Sequence, residues 1–147
     1  GSAYNAMGPS GAAPILAFPE IMDRNNGVWT SINMFNSSTT HSANIKIEYH
    51  GRLENGTGAI VTKTQTLTLG PLESTNILHA KSSKAFAYEL GDGWVGSALL
   101  YAVDDQGNLD RDAQLVAITN KLGPDQGGDA LSAYNAFPLW EMPGTLD

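Results

Sequence analysis

The chain has 147 residues, enough for one domain with a core of its own, and its net charge of −7 with only eight Lys and Arg excludes a basic nucleic-acid footprint. Charged residues make up 16% of it, and Gly, Ser, Thr and Asn carry much of the polarity instead, a balance that suits an exported β protein better than a cytosolic enzyme. It contains no cysteine, which excludes disulfides, thiolate catalysis and Cys-based zinc sites, and its longest nearly apolar run, residues 95–103, is far short of the ~20 residues of a membrane-inserted helix.

Residues 1–13 are rich in Gly, Ala, Ser and Pro and read as an extended N-terminal arm or inter-module linker. Residues 14–22 are apolar but contain Pro19, which has no amide to give to a ladder and so predicts an edge strand or a bulge. A strong turn, Asp-Arg-Asn-Asn-Gly, follows at residues 23–27, and then a strand over residues 28–35. After a polar turn at residues 36–42, Ile45, Ile47 and Tyr49 alternate with Lys46, Glu48 and His50, the pattern of a strand with one wet face. Residues 51–58 read as a hairpin loop around Glu54-Asn55-Gly56. The strand predicted over residues 59–69 carries a threonine ladder, Thr62, Thr64, Thr66 and Thr68, on one side. Residues 74–79 are a short strand, and residues 81–93 a connection with room for one helical turn around Phe86 and Tyr88. Residues 94–103 and 113–119 are apolar on both faces and predict central strands, joined by the acidic segment 104–112 read as a plain hairpin loop. A last strand is predicted over residues 130–137. The sandwich domain then spans residues 14–137, and residues 138–147 are a C-terminal tail.

About eight short strands without an amphipathic helix predict an all-β antiparallel sandwich, since a parallel α/β sheet would need helical patterns between the strands.

One feature of the spelling bears on assembly. Ser2, Ala3, Tyr4, Asn5 and Ala6 repeat as Ser132, Ala133, Tyr134, Asn135 and Ala136, with 130 residues between the two tyrosines. Self-similarity at a domain-sized interval is the signature of tandem architecture. The second copy falls in the predicted final strand and the first in the arm. The first copy is therefore expected to add a strand to a neighbouring copy or to be the covalent end of a preceding module.

Four stretches together carry a family resemblance: residues 15–29, an apolar strand leading to Asn26-Gly27 and Trp29; Leu69-Gly70-Pro71-Leu72-Glu73-Ser74; Gly93-Trp94-Val95-Gly96-Ser97-Ala98; and Gly128-Asp129-Ala130-Leu131-Ser132-Ala133-Tyr134-Asn135. In these the chain resembles the tandem immunoglobulin-like β-sandwich modules of large secreted and surface proteins of bacteria. The resemblance implies an immunoglobulin-like sandwich of about 7–9 strands in an extracellular or cell-surface setting. It extends to the architecture only, because the Cys pair of antibody domains is missing.

The candidate chemistry is sparse. Asp104, Asp105, Asn108, Asp110 and Asp112 offer the oxygen ligands calcium prefers, but without the spacing of an EF-hand; a solvated loop is the favoured reading, and no metal or cofactor is expected, calcium being the alternative. His41, His50 and His79 lack helical ligand spacing, and no Gly-x-Ser-x-Gly elbow accompanies them, so an enzyme is not expected. Trp94 reads as core. Trp140, beyond the last predicted strand, is expected to cover the sandwich end or touch a partner. Two glycosylation sequons, at Asn36 and Asn55, lie in turn-like segments. The function expected is a non-enzymatic structural module of an extracellular surface protein or filament. Its partners are other copies of itself or adjacent modules, with inter-unit contact at residues 2–6 and Trp140. The alternative is a carbohydrate-binding module that meets a polysaccharide through exposed aromatics or the threonine ladder.

Overall fold

The structure is a computed structural model that describes residues 11–123 and 130–144. Their nine strands are β1 (Ile15–Asp23), β2 (Trp29–Asn36), β3 (Ala43–Arg52), β4 (Ile60–Leu69), β5 (Ser74–Leu78), β6 (Trp94–Val103), β7 (Leu115–Leu122), β8 (Ala130–Asn135) and β9 (Phe137–Leu139). They form two antiparallel sheets, one of five strands in the order β4-β3-β6-β1-β9 and one of four in the order β5-β2-β7-β8. The predicted all-β sandwich is therefore the fold the chain adopts. Pairing of β2 with β5 and of β3 with β6 is that of B with E and C with F in an immunoglobulin sandwich, but the flanks are exchanged: β1 lies beside β6 and β7 beside β2, where that fold has its first strand beside B and its last beside F, so the expected immunoglobulin-like pattern holds for the central pairs only.

Alternation decides what each strand buries. On β3, Ile45, Ile47 and Tyr49 are buried, whereas Glu48 and His50 are exposed. From the facing sheet Ile32, Met34, Leu115 and Ala117 close the core, and Trp94 fills its end, fully buried, with its indole N–H donating to the Val61 carbonyl at 3.0 Å. That indole lies against Gly51, where a Cβ would stand 2.6 Å from Trp94 Cζ2 and 2.5 Å from the Val95 carbonyl oxygen, so the contact requires glycine.

Pro19 sits where the β1–β6 register shifts between Phe18 and Ile21. β9 pairs only with Ile15 to Ala17, so this stretch of β1 lacks a second neighbour and the missing amide costs no ladder bond. At the start of the described chain, Ala13 exchanges backbone hydrogen bonds with Leu115, and both Gly11 and Ala13 are buried.

Three expectations need correction. β6 and β7 lie in opposite sheets, so the acidic segment is a crossover between sheets and not a hairpin loop. The connection 81–93 has no helical turn: Leu78 and Ala87 form an isolated bridge, and the Tyr88 amide donates to the Leu78 carbonyl. The strand predicted over 130–137 is two strands, because at Ala136 the chain leaves the four-stranded sheet and Phe137 enters the five-stranded one. Continuous apolar and small residues gave no sign of that change of sheet.

Candidate functional site

The repeated pentapeptide ends at this change of sheet. Its first copy, residues 2–6, lies outside the described residues. In its second copy Asn135, Tyr134, Ala133 and Ser132 pair with Ile118, Thr119, Asn120 and Lys121 of β7, and the Ala136 amide donates to the Ala117 carbonyl at 3.1 Å. Ser132, Ala133 and Asn135 are exposed, Tyr134 is half-buried, and Ala136 is buried. The Tyr134 hydroxyl donates to the Glu20 carbonyl of β1, and Glu20 also meets the Lys121 ammonium. Burial raises the Tyr134 pKa above the ordinary phenol value. Among the described residues β8 is thus an edge strand, held by a backbone ladder and by two inward side chains two residues apart, Tyr134 within it and Ala136 just past its end.

Trp140 is 52% exposed, with Phe137 at 59% and Met142 at 41% in the same tail segment. Arg111, from the acidic crossover, donates to the Trp140 carbonyl at 2.8 Å and pairs with Glu141 at 2.8 Å, pinning the tail while leaving the indole outside. The Glu141 carboxyl titrates below its usual range because of that guanidinium.

The acidic residues do not converge. The Asp104 carboxylate accepts from the amides of Gln106 and Asn108 at 2.9 Å each, and Asp110 binds the Asp112 amide and, at 2.8 Å, His41 Nε2. Among the described residues no group of three or more His, Cys, Asp or Glu could hold a metal ion. The hydrogen bond to Asp110 raises the His41 pKa. Ser38 Oγ accepts from the His41 backbone amide and not from its ring, so the pair is not a Ser-His-Asp relay. Asn36 is buried, with its side-chain amide on the carbonyls of His41, Leu69 and Gly70, which removes it as a glycosylation acceptor.

His79 is also fully buried, between Thr30 Oγ1 at 2.8 Å and the Tyr49 hydroxyl at 3.0 Å. Burial pulls its pKa down to about 3, so the ring is neutral, and the Tyr49 hydroxyl continues the chain of hydrogen bonds to Gln65 at 3.0 Å. This is a satisfied polar string through the core. The exposed threonine ladder lies on β4, an edge strand.

A cleft that sequence reading missed lies at one end of the sandwich, where residues 24–28, 53–59 and 89–93 meet. The Asn26 amide donates to Asn55 Oδ1 and the Asn55 amide to the Gly93 carbonyl, both at 2.8 Å. Asp23, fully buried, accepts from the amides of Leu90 and Gly91 and from Arg24 Nε, and Arg24 reaches Glu89 at 2.6 Å. The hydrogen bond to Asp23 is the main reason the Arg24 pKa is raised. Of the ten described residues with positive φ, eight lie in these loops: Arg24, Asn26, Gly27, Glu54, Asn55, Gly56, Gly91 and Gly93. At Gly93 a Cβ would stand 2.7 Å from the Asn55 amide nitrogen. The loops frame a cleft of about 880 Å³ with Leu53, Val61 and Leu90 in its wall and Arg24, Lys63, Glu54 and Asp92 around them. It offers charge of both signs and an apolar wall, but no His, Ser or Cys for nucleophilic chemistry. Its sequence signal was the dipeptides Asn26-Gly27, Asn55-Gly56 and Asp92-Gly93, one per loop.

No family model and no curated protein matches the chain. Among solved structures it is similar to a Thermotoga maritima protein described as "Crystal Structure of Thermotoga maritima 1070", with 14% sequence identity and a TM-score of 0.44 over 90% of this chain and 98% of that one. A likeness that loose leaves the architecture to be argued from the strands alone.

Proposed function

We propose that the protein is a non-enzymatic structural module of an extracellular surface protein or filament, joined to neighbouring copies through its N-terminal segment. The joint is strand addition between chains or covalent linkage in tandem. One observation carries this reading: the pentapeptide at residues 132–136 forms a paired strand and its exit, and the chain spells the same five residues again at positions 2–6. A module that makes its own β8 and carries that segment's sequence a second time has a spare copy to place on a neighbour. A low charge density and the pairing of β2 with β5 and β3 with β6, shared with the centre of immunoglobulin sandwiches, are in keeping with a displayed bacterial module.

The test is sedimentation velocity and electron microscopy of the whole chain beside a chain lacking residues 1–10, a cut that spares the buried Gly11 and Ala13. Assembly that depends on those residues is the expected result. A whole chain that stays monomeric at every concentration would sink interchain joining.

The carbohydrate-binding alternative keeps one observation in its favour, the interlocked end-loop cleft, because loops at the end of a sandwich are where such folds bind ligands. Glycan-array binding that is abolished by Asp92→Ala with Lys63→Ala would favour it.

A further inference from the structure

We propose that the outer edge of β7 is a receptor for the Ser-Ala-Tyr-Asn-Ala segment, and that residues 2–6 of one copy occupy it in a second copy in place of that copy's β8. The inference rests on the structural-module reading and names the surface through which copies join.

The receptor reads sequence at two points. Tyr134 reaches across to the Glu20 carbonyl on the other sheet, and Ala136 is buried where its amide meets Ala117. Both side chains point inward because they are two apart on an extended chain, and Tyr4 and Ala6 have the same identity and the same spacing. Ser2, Ala3 and Asn5 match the exposed positions as well, so the first copy reproduces every described contact that β8 residues 132–136 make. A strand laid on the open side of β8 would find neither the Glu20 carbonyl nor the Ala136 recess. Sequence identity therefore favours replacement of β8 over addition beside it.

Replacement also costs little. Among the described residues β8 pairs with β7 alone, and exchanging it for an identical segment conserves the side chains in the slot, the condition under which strand exchange between copies is cheap. In a tandem chain the same match would seat each pentapeptide on the module that precedes it. Covalent and non-covalent joining thus use one surface.

The chain has no cysteine, so an introduced pair reports its contact without ambiguity. Asn120 is the register partner of Ala133 and, by the repeat, of Ala3, and Ala133 is exposed. Full-length chains carrying Ala3→Cys and full-length chains carrying Asn120→Cys are refolded together, oxidised and mapped by mass spectrometry. The expected result is a disulfide between position 3 of one chain and position 120 of another, at least about tenfold above a control pair of Ala3→Cys with Lys46→Cys, because a seated strand holds its thiol at high effective concentration. Adding Tyr134→Phe to the Asn120→Cys chain weakens its own β8 and raises the yield. A single chain with Asn120→Cys and Ala133→Cys must close internally, which verifies the slot geometry.

Cross-linking at the control level while that single chain closes overturns the receptor assignment. If sedimentation still shows assembly that depends on residues 1–10, the structural-module reading survives and only the slot is wrong. If neither is seen, interchain joining falls with it.

Discussion

The hydroxyl of Tyr134 on β8 donates to the backbone carbonyl of Glu20 on β1, tying the edge of the four-stranded sheet to the five-stranded one. The contact belongs to one copy of a segment that the chain spells twice, and it makes the two copies experimentally separable.

Tyr134→Phe is expected to cost about 1 kcal/mol, the usual net worth of one hydrogen bond. Ala136→Leu overfills a buried site and is expected to cost about 1–3 kcal/mol. Tyr4→Phe and Ala6→Leu should leave monomer stability unchanged and reduce assembly. Urea midpoints and sedimentation, run on the four variants together, separate the two effects.

Gly51→Ala tests the packing of Trp94. Its Cβ would meet the indole and the Val95 carbonyl inside bonding-clash range, and backbone cannot move aside as a flexible side chain can. A loss of about 2 kcal/mol or more is expected from such overpacking, with a changed tryptophan emission maximum as the spectroscopic sign that the indole has shifted.

Asp23 braces the end-loop cleft. Asp23→Ala strands the amides of Leu90 and Gly91 and leaves Arg24 with Glu89 alone. Leaving a buried backbone amide without its acceptor costs about 1–3 kcal/mol. Hydrogen exchange at residues 90 and 91 should accelerate beyond what global destabilisation explains, and Asp23→Asn should restore part of the protection.

The pH dependence follows from His79. Its folded pKa of about 3 lies below the ordinary imidazole value of 6.5, so between those two values the unfolded chain binds the extra proton. The neutral ring's contribution is complete above pH 6.5 and declines as pH falls towards 3. His41, paired with Asp110 and facing Asp112, acts with the opposite sign from a largely solvated position. Denaturant midpoints measured from pH 7 to pH 4 should fall, and His79→Gln should flatten the slope.

Calcium is expected to leave the thermal midpoint unchanged. Among the described residues no three carboxylate or imidazole groups converge on one point, and Asp110 is already held by the Asp112 amide and His41. Thermal melts with millimolar calcium and with EDTA check this.

Much of the sandwich was legible residue by residue. Ile45, Ile47 and Tyr49 against Lys46, Glu48 and His50 identified β3 and its buried face, and Pro19 marked the bulge in β1. The cleft was not legible, although each of its loops was recognised as a turn or connection. Asn26, Asn55 and Gly93 are far apart in the chain, and nothing in a turn dipeptide says which other turn it will touch. The break at Ala136 was hidden for a related reason: an alanine suits either sheet.

The sequence by itself determined that the chain is built of strands, which side of β3 and β4 faces water, and that one strand's sequence recurs 130 residues away. These are local or textual properties, since side chains alternate with the pleat whatever the neighbour is. Only the tertiary structure decided that Ile15 lies opposite Tyr101, that β6 and β7 belong to different sheets, and that Tyr134 reaches Glu20. Backbone ladders are chemically alike on every strand, so partners are chosen by how all the buried faces fit at once, and that choice is made by the folded whole.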